Sequence, residues 1–476
     1  MTNETPGESR PSRSPSIAAF LSFLWPGLGQ AYERRRRAAL IFAIPALIAA
    51  GLLLVQAARG LDVLAVELIT PTFALTVLIV VLLLGAWRLI SIVEAAMASG
   101  PPRAWRRGST AIVVVALSAI VLATHGAAAY YAYSFYDAGN AIFVGDVGPT
   151  ASPPPVGSGS PLASGSPSAS PSDNGIDFQG PAGESPPPGA SRINILFTGV
   201  DSGHGRDHAL TDTMLVASID PDTKQVAMVS FPRDISNFKL WDGRIFKGKL
   251  NSLMTYARLH PDQYPDGAVG TLTKELGYLL GVPIYYYAAI NLDGFKKMVD
   301  LVGGVTVTYP EDIIDPSYSW EDAAGSHGFV FHAGTHHLDG PNALAFVRSR
   351  KADSDFARAA RQQILLIALR KELTKPSMLP KIPALLKAAA QTVRTDFPSS
   401  QVADMVALVR GIDDKSIQRY VLGPPYSTHP PNTTTGGIYT LKLNMGRLAA
   451  LSVKLFGTDS RYYKAPTASP TASPAP

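Results

Sequence analysis

Three stretches of this chain contain no Asp, Glu, Lys or Arg, and each is long enough to cross a lipid bilayer. Residues 38–58 supply ~21 mostly apolar positions, which at 1.5 Å per residue cover a ~30 Å hydrocarbon core. Residues 68–87 repeat the pattern. The third, 110–133, follows Arg103, Arg106 and Arg107 and closes on Tyr130, Tyr131 and Tyr133, side chains that settle at a membrane interface. Pro45 and Pro71 are tolerated in such helices. A shorter apolar run, 17–32, is broken by Trp25-Pro26-Gly27 and Gly29. It fits a fourth span, a re-entrant hairpin or an interfacial helix. The residues before it, 1–16, read as a cytoplasmic or disordered N-terminus, and a cleaved signal peptide is not expected.

Basic residues set the expected orientation. Arg34 to Arg37 precede the first span, and Arg88, Arg103, Arg106 and Arg107 lie between the second and third. The loop near 59–67 holds Arg59 against Asp62 and Glu67. Placing the basic loops inside makes this a multi-pass protein of the cell membrane, with everything after residue 133 extracytoplasmic. The arginine cluster adjoins an apolar block, so it reads as a membrane flank and no nucleic-acid partner is expected. Among 476 residues there is no cysteine, which excludes disulfides, thiol nucleophiles, cysteine-zinc sites and iron–sulfur clusters.

Past the membrane region (17–133), residues 146–190 are mainly Pro, Ser, Gly and Ala. Such a segment buries too little apolar surface to offset its ordering entropy, so it reads as a tether. The tail 465–476 has the same character. Between them, 191–464 has globular composition and the length of one large domain. The apolar runs Thr213–Ile219 and Val226–Phe231 flank Asp220-Pro221-Asp222-Thr223-Lys224, which is turn chemistry and predicts an antiparallel hairpin. That hairpin brings Asp212 and Arg233 opposite each other at its open end. Asp339 and Pro341 mark a helix start leading to Arg348 and Arg350. Arg358 and Gln362 share one face of a helix over about 355–373.

Asp201, Asp212, Arg233, Arg348, Arg350, Arg358, Arg361 and Gln362 therefore form a candidate site. Converging guanidinium groups suit phosphate, whose oxygens they bind bidentately, and two carboxylates beside them suit Mg²⁺. A pyrophosphate ester needs that combination.

The motifs Asn194 to Asp201, Thr211-Asp212-Thr213-Met214, Ser230-Phe231-Pro232-Arg233-Asp234, Lys249-Leu250-Asn251, Gly303-Gly304-Val305, His337-Leu338-Asp339-Gly340, Phe346-Val347-Arg348-Ser349-Arg350 and Arg358-Ala359-Ala360-Arg361-Gln362-Gln363 resemble, in order and spacing, the LytR-CpsA-Psr (LCP) family. The resemblance covers about 192–373. It implies an α/β fold, a central mixed β-sheet flanked by helices, following the N-terminal transmembrane helices. It also implies a membrane-anchored, Mg²⁺-dependent phosphotransferase. Such an enzyme moves a glycopolymer phosphate from a polyprenyl-pyrophosphate carrier to a peptidoglycan hydroxyl, working beside membrane lipid. By position, Asp201 and Asp212 would hold the metal, and Arg233, Arg348, Arg350, Arg358 and Gln362 the pyrophosphate. Asp201, Asp212 and Arg233 would be catalytic, with Asp201 the candidate base, and Lys249 is left without a role.

One position departs from the family pattern. Leu210 stands where members have an Arg, so a phosphate contact is missing unless Arg206 or His208 replaces it. Two alternatives to transfer stand beside it: hydrolysis of the carrier, and a non-catalytic lipid-pyrophosphate-binding scaffold. His332, His336 and His337 are read as residues of a Gly-containing loop rather than a zinc cluster, and Tyr285, Tyr286 and Tyr287 as strand residues. Apolar residues within 253–302 are candidate walls for the lipid.

Overall fold

The computed structural model describes residues 14–58, 64, 67–98, 109–143, 186, 190–201, 210–320, 327–350, 353–431 and 437–464. Outside them fall the 1–13 segment, Arg59, Asp62, Arg103, Arg106, Arg107, Arg206, His208, nearly all of 146–190 and the 465–476 tail. Backbone packing divides the chain into two units, Met1–Gly139 and Asn140–Pro476.

The first unit carries α1 (Pro15–Leu24), α2 (Leu28–Tyr32), α3 (Arg36–Ala58), α4 (Pro71–Ala98) and α5 (Ser109–Ile142), the last ending just beyond it. The segments Arg36–Gln56, Pro71–Ala98 and Ser109–Ile142 are long and apolar enough to cross a membrane. Helices α4 and α5 outrun the apolar blocks 68–87 and 110–133, because hydropathy marks the lipid-contacting length whereas backbone hydrogen bonds carry a helix on into polar sequence. Leu52, Leu54 and Leu83 are exposed, as a helix surrounded by lipid would present them.

Residues 17–32 form two short helices folded against each other. At 10 residues, α1 reaches only about 15 Å. The chain reverses at Gly27, whose φ of 100° is in the left-handed region. A Cβ on Gly29 would lie 2.1 Å from the Ala18 carbonyl oxygen and 2.3 Å from Ser22 Oγ, so only glycine permits this approach. Buried Gln30 ties the hairpin together: Ser22 Oγ donates to its Oε1 (3.0 Å), and its Nε2 donates to the Ser91 carbonyl (3.0 Å) and to Glu94 Oε2 (2.9 Å). Gly29→Ala should therefore destabilise this unit by ~1–3 kcal/mol. A Tm unchanged for the detergent-solubilised full chain would contradict that packing.

In the second unit, in chain order, come β1 (Ile193–Asp201), β2 (Leu210–Ile219), β3 (Val226–Ser230), β4 (Ser236–Lys239), β5 (Ile245–Lys249), α6 (Leu253–Leu259), α7 (Gly267–Leu280), β6 (Tyr286–Asn291) and α8 (Leu292–Val302). Then follow β7 (Val305–Tyr309), β8 (Ile313–Ser319), β9 (His327–Phe331), β10 (Gly334–Leu338), α9 (Gly340–Arg348), α10 (Asp355–Leu373), α11 (Ile382–Thr392) and β11 (Val393–Thr395). The remainder is α12 (Val402–Arg410), β12 (Ile417–Val421), β13 (Ser427–Thr428), β14 (Lys442–Leu443) and α13 (Met445–Phe456).

Six strands form a central mixed sheet in the order β11-β6-β1-β2-β3-β12. The β1/β6 and β3/β12 pairs are parallel, and the others are antiparallel. Strand alternation divides the core: Val216 and Leu196 pack with Leu272, Leu276 and Leu448 on one face, while Leu215 and Met228 pack with Leu366, Ile367 and Leu408 on the other. A further cluster joins α8, α9 and α10 to β7 and β9 through Val299, Val305, Phe331, Phe346 and Leu365. Tyr286 and Tyr287 are buried strand residues, as expected, whereas Tyr285 precedes β6.

Glu275 of α7 is fully buried, and its Oε2 accepts the Trp241 backbone N–H at 3.2 Å. Burial pushes its pKa from 4.5 up to about 8. Between those values the native state holds a proton that the unfolded chain has lost, so stability falls as pH rises. Glu275→Gln keeps the acceptor and removes the charge, so it should raise Tm at pH 8.5 while changing it little at pH 5. An equal shift at both values would contradict this linkage.

Candidate functional site

The β2–β3 hairpin forms as its turn chemistry predicts. Asp220 Oδ1 accepts the backbone N–H of Asp222 (3.0 Å) and Thr223 (2.9 Å), pinning the turn. The register from Ile219↔Val226 to Leu215↔Ser230 then places Asp212 and Arg233 beyond its open end. There Arg233 Nη1 donates to Asp212 Oδ1 at 2.8 Å.

Asp212 is also set apart by a slip in the β1/β2 ladder. Gly199 pairs with Thr213 but Val200 pairs with Thr211, leaving Asp212 as the extra residue of a bulge. A bulge breaks the in-out alternation and re-aims a side chain, and Asp212 lines a cavity of about 630 Å³. Asp201 closes β1 opposite Leu210. The side chains of both lie outside the described residues.

Helix α10 builds the cavity's length. Arg358, Gln362, Leu365, Leu366, Leu369 and Leu373 recur at three- and four-residue spacing and all line it. From Arg358 to Leu373 that face runs about 22 Å at 1.5 Å per residue. One end is cationic and the other is hydrocarbon. Phe295, Met298 and Leu344 complete the apolar wall, while the apolar residues of α6 and α7 lie in the core across the sheet. The wall expected within 253–302 is thus supplied by its C-terminal part alone.

The second pair of arginines arrives on a clamped turn. Asp339 caps α9 by accepting from Asn342 N (2.9 Å). Arg348 is the last helical residue, and Ser349 turns extended with ψ 133°, so Arg348 and Arg350 both line the cavity. Ser349 Oγ donates to buried Asp315 Oδ2 at 2.9 Å, and Arg350 N donates to the same oxygen at 3.4 Å. From the other side, fully buried Arg361 donates its Nε to the Phe346 carbonyl (2.7 Å), donates Nη2 to the Ser349 carbonyl, and pairs with Asp353. Arg361 therefore holds the turn that presents Arg348 and Arg350, and it does not line the cavity. Sequence reasoning missed Asp315 and Ser349; their signal is present only in the fold.

Carboxylates stand between the guanidinium groups. Arg358 Nη2 lies 2.7 Å from Asp355 Oδ1 and donates to the Asp212 carbonyl at 3.2 Å, and Asp355 Oδ1 lies 3.7 Å from Arg233 Nε. Lys249 Nζ donates to Asp234 Oδ1 at 2.5 Å, and the other Asp234 oxygen lies 3.6 Å from Arg233 Nε. Lys249 thus gains a place behind Arg233. Arg233 itself stands behind Asp212 rather than on the cavity wall.

Burial works against the Arg233 charge, but Asp212, Asp355 and Asp234 outweigh it and its pKa rises. Burial lowers Arg358, as do Arg233 and Arg350, against the pull of Asp355 and Asp212. Burial raises Asp355 despite Arg358, Arg233 and Arg350. Arg233 Nε and Arg358 Nε are buried with no hydrogen-bond acceptor among the described residues. Buried donors without acceptors suit an anionic ligand.

No described group of three or more His, Asp or Glu side chains converges as a metal cage. Mg²⁺ commonly takes one or two carboxylates plus phosphate oxygens, and Asp212 at the cavity wall is a hard oxygen donor of that kind. His336 and His337 lie on β10 rather than in a loop. Adjacent strand residues face opposite ways, with His336 Nε2 against the His332 carbonyl (2.9 Å) and His337 Nε2 against that of Gly303 (2.9 Å).

These features define an α/β domain with a cavity that is cationic at one end and apolar along its wall, in a chain that carries three helices long and apolar enough to cross a membrane. The chain belongs to the LytR_cpsA_psr family, whose model matches residues 170–456. The polyisoprenyl-teichoic acid–peptidoglycan teichoic acid transferase TagV of Bacillus subtilis (strain 168) is 29% identical over 245 residues, 51% of this chain and 59% of that protein. The transferase TagU of Bacillus mycoides (strain KBAB4) is 33% identical over 215 residues, 45% of this chain and 63% of that protein. The chain thus spans less than two thirds of the length of these relatives. The crystal structure of B. subtilis TagV superposes with a TM-score of 0.45 at 25% identity, covering 56% of this chain and 96% of that one.

If Arg361 is the clamp, Arg361→Met should destabilise the domain by ~3–5 kcal/mol, the loss expected when one partner of a buried ion pair is removed. Denaturant unfolding of the full chain measures this, and a change below ~1 kcal/mol would contradict it.

Proposed function

We propose that this chain is a membrane-anchored phosphotransferase moving a glycopolymer phosphate from a polyprenyl-pyrophosphate carrier to a peptidoglycan hydroxyl. The observation that carries this reading is the polarity gradient of this cavity. A diphosphate fits among Asp212, Arg348, Arg350, Arg358 and Gln362, and a prenyl chain fits the leucine face of α10 beyond them. The activities named for TagV and TagU support it. The basic flanks of α3 and α4 support a multi-pass topology with the family domain outside the cytoplasm.

In the reaction, the acceptor oxygen bonds to the glycan-bearing phosphorus while that phosphorus loses its bond to the pyrophosphate bridging oxygen. Polyprenyl phosphate leaves, and the hydroxyl proton passes to a base, for which Asp201 is the proposed residue. Arg348, Arg350 and Arg358 hold the diphosphate oxygens in line, and Gln362 adds an amide contact. Arg233 fixes the Asp212 carboxylate. Mg²⁺, held by Asp212 with Asp201, would neutralise charge on the reacting phosphates.

The test is transfer by the detergent-solubilised full chain, given a synthetic prenyl-pyrophosphate glycan, Mg²⁺ and a peptidoglycan oligomer. Asp212→Ala and Arg233→Ala should each lower kcat/KM ~10²–10³-fold, the scale of losing one preorganised electrostatic contact. Activity retained in both would remove the site assignment. Carrier hydrolysis without transfer would favour a pyrophosphatase, and carrier binding without turnover a scaffold. Leu210→Arg should raise the rate if the absent guanidinium limits it.

A further inference from the structure

The phosphate end of the cavity has a neighbour that the reaction above does not use. The β13–β14 hairpin leans on the segment after Arg233. Leu441 N donates to the Asp234 carbonyl (2.8 Å), Ser236 N donates to the Leu441 carbonyl (3.0 Å), and Ile235 and Leu441 form a parallel bridge. Tyr439 is two residues earlier, and a chain advances at most ~3.6 Å per residue, so its Cα lies within about 7 Å of that of Leu441. The ring stacks on His429 with centroids 4.7 Å apart and planes at 26°. His429 is itself anchored through Nδ1 on the Thr440 carbonyl at 2.8 Å.

Despite the stack, Tyr439 is 48% exposed. Burial raises its phenol pKa, and the carboxylates of Asp234 and Asp355 raise it further. Both acids flank Arg233, and Asp234 also holds Leu441 through its backbone carbonyl. An exposed, pre-stacked ring presents a rigid apolar plane at little entropic cost, and the Asp234–Lys249 ion pair belongs to the segment on which Leu441 rests. An exposed aromatic plane with charged groups on the adjoining segment suits a pyranose ring, whose C–H face is apolar and whose edge is hydroxyl groups.

We propose that the His429–Tyr439 stack is the floor of a hexopyranose subsite beside the phosphate end of the cavity. It rests on the transferase reading only for the source of the sugar, which is either the acceptor glycan or the first residue of the donor glycan.

The test has two arms, both on the detergent-solubilised full chain. In the first, titration calorimetry follows binding of a soluble N-acetylhexosamine disaccharide, which needs no turnover. Tyr439→Ala should weaken it at least fivefold and Tyr439→Trp should hold it within twofold. Equal binding by Tyr439→Ala, or no binding by the parent, overturns the subsite. In the second, Tyr439→Ala should raise the KM for the peptidoglycan oligomer or for the glycan donor, the affected substrate being the source of the ring. Both KM values unchanged, with kcat alone reduced, would overturn it. Tyr439-dependent disaccharide binding in a parent that transfers nothing would leave the subsite standing and remove the transferase reading.

Discussion

Gathering guanidinium groups at one end of a cavity is the constraint on which the rest of this domain depends. Like charges a few ångströms apart repel by several kcal/mol at the effective dielectric of a protein surface. The chain counters this with carboxylates inserted between them. Asp212 and Asp355 lie between Arg233 and Arg358, Asp234 lies between Arg233 and Lys249, and Asp353 takes the buried Arg361. The opposed shifts of Arg233 and Arg358 record how unevenly burial and pairing divide. Each carboxylate reaches its place by a different backbone device: a bulge for Asp212, the first turn of α10 for Asp355, and the strand exit after β3 for Asp234.

The same constraint fixes the scaffold. Arg358 and Gln362 must share a cavity with a hydrocarbon wall, and one helix face can supply both by changing composition along its length. That face packs beside the sheet surface carrying Phe197, Leu215 and Ala288, so the cavity is bounded by a strand layer and a helix layer whose other contacts form the core. Cavity and core are continuous here, and a volume change in Leu365 or Leu366 would be felt in both.

Local chemistry made part of this legible from the residues. The Asp220 turn, the Asp339 cap and the helical spacing of Arg358 and Gln362 are short-range signals, and each forms where the sequence places it. What stayed hidden depends on pairing across distance. Asp315 meets Ser349 across a long sequence separation, and the bulge at Asp212 is a property of two strands rather than one. Arg361 reads in sequence as one more phosphate arginine. Only burial distinguishes a guanidinium that faces ligand from one spent on three backbone and carboxylate acceptors. The histidines erred the other way, since a Gly-flanked run that reads as a loop pairs into a strand.

The division of labour among the arginines follows from acceptor count. A guanidinium has five N–H donors in a fixed fork, so each one satisfied internally is lost to ligand. Arg361 spends its donors on Phe346, Ser349 and Asp353, whereas Arg358 gives one nitrogen to the Asp212 carbonyl and keeps a buried Nε unmatched. Arg233 is intermediate, with Nη1 on Asp212 and Nε unmatched. A buried donor left open is unfavourable, so an anion bound at these nitrogens would relieve it.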